Sequence, residues 1–232
     1  MSTPIGNISD ISIRAFHTLL SVGVIACEDT RRTGLLLTEL KKRYASLISD
    51  SGGHEPRFIR CDEHTESNAV PQLINMLEGG DSVALVSNAG TPLLSDPGYI
   101  LVHEAVKHGI RVVAIPGASA FLSALTASGL PMSHFLFLGF PPEKESHRDS
   151  LFHAIQSSMP IAPMTYILYC SPHKLTKTLH EMMRHFGDIP IVIAREITKI
   201  HEEIWHGTIT KALADYSHPV GEFVILWYLP TR

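Results

Sequence analysis

Short apolar runs alternate with helically spaced ones through the first half of the chain. Val22–Ala26, Ser82–Val86 and Arg111–Ile115 read as strands, and Glu66–Leu77, Gly98–Lys107 and Ser119–Ala127 as helices. In the first of these helices Val70, Leu73, Ile74 and Leu77 share one face, Ser67 can cap the start, and Gly79 stands where a left-handed terminal residue is wanted. Ile11–Leu20 has the same spacing behind Ser9, a plausible cap. Strand, helix, strand in this order predicts βαβ units and a mostly parallel sheet. Gly129-Leu130-Pro131 breaks the pattern. The strand-like runs beyond it are Phe135–Leu138, Thr165–Tyr169, Ile191–Ala194, Glu202–Trp205 and Phe223–Tyr228, and some lie too close together for a crossover helix. The expectation is an α/β chain of two domains: 1–129 with a mostly parallel sheet, and 130–232 with a mixed one. Lys41–Arg57, containing Ser49-Asp50-Ser51-Gly52-Gly53, reads as a surface loop.

The segment from Ser87 to Gly98, SNAGTPLLSDPG, follows an apolar strand and is rich in residues that turn a chain closely. In an open α/β sheet, the carboxyl ends of strands are where ligands bind. The 232 residues, 44% of them apolar, suffice for a substantial core. Cys27, Cys61 and Cys170 are odd in number and widely spaced, which argues against a disulfide framework and for a reducing, cytoplasmic setting. No apolar run reaches the ~20 residues of a membrane span, and no signal peptide is recognisable. A net charge of −4 gives no overall pull toward nucleic acid, so an RNA partner requires a local basic surface. Arg31-Arg32 and Lys41-Lys42-Arg43 are the compact basic groups noted.

Two charged clusters follow strand-like runs. Glu28-Asp29-Thr30-Arg31-Arg32-Thr33 offers carboxylates that can accept a proton and guanidiniums that suit phosphate; a solvated helix start is the plainer alternative. Ala194–Glu203, AREITKIHEE, repeats the theme; if the strand continues, Arg195, Ile197 and Lys199 face one way and Glu196, Thr198 and Ile200 the other. Thr3-Pro4-Ile5-Gly6-Asn7 is a neutral Gly turn with neither a phosphate-loop lysine nor a dinucleotide fingerprint, compatible with a cationic or zwitterionic ligand. Pro116-Gly117-Ala118-Ser119-Ala120 and Ser171-Pro172-His173-Lys174 are further tight turns. The 14 histidines form no convincing metal set, and the α/β-hydrolase nucleophile motif is absent.

Taken in order, TPIGN (3–7), EDTRRT (28–33), SNAGTPLLSDPG (87–98), PGASA (116–120), SPHK (171–174) and AREITKIHEE (194–203) resemble the tetrapyrrole methylase superfamily, and within it the branch acting on small-subunit ribosomal RNA. The resemblance implies two α/β domains with S-adenosylmethionine in the cleft between them, homodimerisation, and 2'-O-methylation of a cytidine ribose in 16S rRNA. Carried onto this chain, it implies cofactor contacts from Pro4, Gly6, Asn88, Ala89, Gly90, Thr91, Pro92, Ser119, Ala120, Ser171, Pro172 and Ala194. It puts the chemistry on Glu28, Asp29, Asp96 and Glu196, with Asp96 and Glu28 preferred as proton acceptor, and substrate binding on Arg31, Arg32 and Lys199. No metal and no membrane are implied, and the partner is rRNA or the small ribosomal subunit.

The chain departs from that pattern in places. Members usually carry an apolar strand before TPIGN, so the expectation is that the first strand is missing here or that the start is misplaced, and longer members extend beyond the final strand. Asn88, Cys170 and Lys174 stand where Asp, Glu and Arg are common. Competing readings are a tetrapyrrole methyltransferase and a non-catalytic RNA-binding or ribosome-assembly protein. A nicotinamide dehydrogenase lacks its fingerprint.

Overall fold

The computed structural model describes residues 1–48, 55–157 and 163–230. The chain divides into two compact units, Met1–Ser119 and Ala120–Arg232.

In the first unit β1 (Val24–Cys27) is flanked by β2 (Arg57–Arg60) and β3 (Val83–Val86), both parallel to it. All four residues of β1 are buried, as expected of a central strand covered on both faces. Its side chains alternate between two cores. Val24 and Ala26 meet Leu73, Ile74 and Leu101 from α3 (Glu66–Glu78) and α4 (Tyr99–Lys107). Ile25 and Cys27 meet Phe16, Leu19, Leu37 and Leu40 from α1 (Ile13–Ser21) and α2 (Thr30–Arg43). The period of two thus places helices on both faces and leaves the strand ends open for a site.

Several local expectations are corrected. Arg111–Ile115 is not a strand: among the described residues no backbone partner pairs with 111–114, and Val112 and Val113 are exposed. A β-prone run without a ladder neighbour has nothing to satisfy its polar backbone except water. Ser2 N–H donates to Ile115 O (3.2 Å), and Thr3 and Gly90 exchange two backbone bonds (2.8 and 3.1 Å), which makes one bridge and not a strand ahead of β1. The cap of α1 is Ser12, whose hydroxyl accepts from Ala15 N–H; Ser9 lies in a 3-10 turn, Ile8–Asp10. α3 starts after Thr65, with Asp62 accepting the His64 and Thr65 amides, and Gly79 is right-handed (φ −71°) while Gly80 takes the left-handed turn (φ 95°). Of the predicted loop at 41–57, Lys41–Arg43 close α2 and Arg57 opens β2; Ser49–Gly53 lie outside the described residues.

In the second unit α5 (Ala120–Ala127) precedes a five-stranded mixed sheet of order β4 (Phe135–Phe137), β5 (Met164–Cys170), β8 (Phe223–Leu229), β6 (Pro190–Arg195), β7 (Glu203–Thr208). Only β4 and β5 run parallel; the other pairs are antiparallel. α6 (Glu145–Ser157), α7 (Pro172–Phe186) and α8 (Ile209–Asp215) supply Phe152, Leu175, Leu179, Met182, Ile209 and Ala212 to a core with Ile193, Ile225 and Trp227. Beneath α6 and α7, Arg148 and Glu181 form a buried two-bond ion pair (2.7 and 2.9 Å), and Arg148 also donates to the carbonyls of Pro142 and Glu143. The β6 strand does not continue into 196–200: Glu196 (φ 49°) and Thr198 (φ 66°) are left-handed and turn the chain instead.

Candidate functional site

The carboxyl ends of β1 and β3 lie side by side, so the residues that follow them meet. Asn88 donates its backbone N–H to Glu28 Oε1 (2.9 Å) and its amide to Glu28 Oε2 (3.2 Å). Asp96, further along the same loop, is pushed up to about 6 by burial and by the charge of Glu28, with the Ser87 hydroxyl acting in the opposite direction. Asp29 has a different task. Its Oδ1 caps α2 by accepting the Arg31 and Arg32 amides (2.9 and 3.2 Å), and those bonds hold its carboxyl below the usual range. Arg31 and Arg32 are exposed on the first turn, and among the described residues no ion pair engages either guanidinium.

The loop between β3 and α4 is held in an uncommon shape. Gly90, Leu93, Ser95 and Gly98 all have positive φ, and a non-glycine residue held so costs about 1 kcal/mol or more, a kind of strain that clusters at functional sites. A β-carbon on Gly98 would lie 2.7 Å from Leu85 Cδ2, and one on Gly117 2.9 Å from Ser2 Cβ, so these turns are packed to the backbone. The N-terminal residues latch the loop. Thr3 pairs with Gly90 and donates its hydroxyl to Ser87 O (3.3 Å), the Ser2 and Thr91 hydroxyls lie 2.8 Å apart, and Thr91 donates to Ala118 O (3.1 Å). TPIGN, SNAGTP and PGASA therefore converge in one place. Within that cluster Asn88 and Ala89 are exposed and Gly90 and Pro92 buried.

In the second unit Ser171 is the cap residue of α7, Pro172 its first helical residue, and Ala194 a buried residue of β6. Glu196 accepts from Lys199 Nζ and from the Glu222 amide (both 2.9 Å), and Lys199 also reaches Glu222 Oε2 (2.9 Å). The Lys199 bond keeps the Glu196 carboxyl below its usual range; burial opposes the charge on Lys199, and the two carboxylates override it and hold its ammonium above the ordinary value. This is a closed ion-pair knot that fixes a turn. Cys170 is buried beside Thr178, and burial pushes its thiol up to about 11.

Sequence reasoning missed Ser2 and Glu66. Glu66 is buried, and its Oε1 accepts the Leu101 amide near the start of α4 (3.1 Å). An acid within an otherwise apolar helical face was the available signal.

The model of the family "Tetrapyrrole (Corrin/Porphyrin) Methylases" matches residues 2–213. The chain belongs to this family. Among relatives of this tetrapyrrole methylase, the ribosomal RNA small subunit methyltransferase I of Mesorhizobium japonicum is 46% identical, covering 97% of this chain and 72% of that protein. The protein of the same name from Thermotoga maritima is 36% identical, covering 97% and 95%. The solved uroporphyrin-III C-methyltransferase of Thermus thermophilus, complexed with S-adenosyl homocysteine, shares the fold at a TM-score of 0.58 and 16% identity, covering 95% of this chain and 92% of that one.

Proposed function

We propose that this tetrapyrrole methylase transfers a methyl group from S-adenosylmethionine to the ribose 2'-oxygen of a cytidine in 16S rRNA. The observation that carries the chemistry is Asp96 at the end of the sheet, which burial, and then the charge of Glu28, leave near 6. A carboxylate with that value is a stronger base than an ordinary one and still mostly ionised at neutral pH, which suits acceptance of a hydroxyl proton. The relatives' names support RNA as acceptor over a tetrapyrrole or a role without catalysis.

The donor set of the first unit fits the cofactor. The turn at 88–92 is neutral, small and partly exposed, with the Thr91 hydroxyl on its floor, and the neighbouring acids complement a cation. Asn88, Ala89, Gly90, Thr91 and Pro92, with Pro4 and Gly6, would hold S-adenosylmethionine, which when bound supplies an electrophilic methyl on a sulfonium. Asn88 orients Glu28 through its two bonds. Asp96 takes the hydroxyl proton. Arg31 and Arg32, exposed on the first turn of α2 and in no ion pair among the described residues, bind RNA phosphate. Positioning then supplies much of the rate.

We place the protein in the cytoplasm as a homodimer. All three cysteines are free and buried, and no described helix is long and apolar enough to cross a membrane. Exposed Tyr99 and Val106, seven residues apart on α4 in the first unit, suit contact with a second copy. Among the described residues no group of three His, Cys, Asp or Glu could hold a metal.

The test is transfer of labelled methyl from S-adenosylmethionine, offering small ribosomal subunits and a porphyrinoid acceptor in parallel. Label in RNA alone supports the reading; label in the porphyrinoid alone overturns it.

A further inference from the structure

The exposed face of α7 carries a basic stripe. His173, Lys177, His180 and Arg184 recur at intervals of four, three and four residues, so they line one side of the helix. All four are exposed, and the stripe runs about 16 Å at 1.5 Å per residue. The acids nearby are few and engaged. Glu181 is turned inward onto Arg148, Asp149 pairs with His185 (2.8 Å) and Glu143 with Lys174. Among the described residues, Glu145 of α6 is the acid paired with the stripe, at 3.0 Å from Lys177 and 3.6 Å from Arg184. Two full positive charges and two histidines thus share one carboxylate, on a chain whose net charge is −4. An open surface pocket of about 470 Å³ on this face is lined by Glu145, His173, Thr176, Lys177, His180, Arg184 and Glu181, the last of these already held by Arg148.

We infer that this stripe is a docking surface for the phosphodiester backbone of the RNA substrate, with Lys177 and Arg184 as its phosphate contacts and Glu145 as the carboxylate that phosphate displaces. The inference rests on the ribosomal RNA reading proposed above. The phosphates of a nucleic-acid strand recur every few ångströms, so the stripe spans several of them. The Glu145 pairs are solvent-exposed ion pairs, weak enough for a phosphate to replace. The site makes no base contact, so it would add affinity and orientation without reading sequence.

Binding of unmodified 16S rRNA is measured from 50 to 300 mM salt for the wild type, for K177Q/R184Q and for E145Q, with calorimetric affinity for S-adenosylmethionine as the control for intact folding. The double variant should bind about tenfold more weakly at low salt, with a salt slope shallower by about 2, one per lost phosphate contact. E145Q should bind two- to threefold more tightly, an effect that a purely structural ion pair would not give. Unchanged affinity and slope in the double variant, while the wild type methylates RNA, overturn this inference and leave the proposed function standing. A wild type that binds neither 16S rRNA nor small ribosomal subunits overturns both.

Discussion

Glu28 and Asn88, sixty residues apart, are joined by two hydrogen bonds that tie the end of β3 to the end of β1. The amide matters, since it donates where a carboxylate could only repel. Asn88→Asp is therefore expected to destabilise the protein by about 1 kcal/mol at pH 8 through a lost bond and an added like charge. Asn88→Ala keeps the backbone bond and should cost less. Chemical denaturation of the two variants checks the order.

Asp96 is expected to be the proton acceptor. With its carboxyl near 6, the single-turnover rate should rise with pH up to about that value and then level off. Asp96→Asn should lower the rate 100-fold or more and abolish the acid limb, while S-adenosylmethionine still binds. Glu28→Gln removes one of the two causes of the raised value, so in that variant the limb should move to lower pH. Rate profiles of the three proteins from pH 5 to 8.5 test this.

The same group carries a stability signature. A carboxyl raised in the folded state binds its proton more tightly there than in the unfolded chain. Its contribution is full below the unfolded value near 4 and is lost as pH rises through about 6. Asp96→Asn should thus be more stable than the wild type at pH 7.5, by about 1 kcal/mol after allowing for partial solvent screening, and the gain should vanish toward pH 4. Urea midpoints at the two pH values decide it; equal midpoints at pH 7.5 contradict the raised value.

Arg148 and Glu181 are each at most 5% exposed, and removal of either leaves a buried charge. Arg148→Met should cost about 3–5 kcal/mol, and Arg148→Met with Glu181→Leu should recover most of it. Denaturant midpoints of single and double variants measure the coupling.

Strands with a built-in partner were legible from local pattern. Val83–Val86 and Met164–Cys170 are apolar runs that the sheet then covers. Arg111–Ile115 has the same composition and fails, because strand formation is decided by a neighbour that local sequence does not contain. Gly79 and Gly80 differ by one position in which takes φ > 0, a choice made by the helix's last hydrogen bonds. At the site, the position of SNAGTP followed from its place at a strand end, while TPIGN and PGASA, which follow no strand, were joined to it by the family resemblance alone. The division of labour among the acids did not follow. Asp29 caps its own helix and Glu196 is locked by Lys199 three residues on, both local contacts, whereas the burial and the Glu28 charge that raise Asp96 depend on distances that chain order does not give. The Arg148–Glu181 pair, 33 residues apart, was invisible for the same reason.

The most direct test of the central claim is methyl transfer from labelled S-adenosylmethionine to small ribosomal subunits taken from cells lacking the endogenous modification, followed by mapping of the labelled nucleotide. The account predicts one cytidine labelled on its 2'-oxygen, with the label lost in Asp96→Asn. Label on a base, or no label with S-adenosylmethionine binding intact, would contradict it.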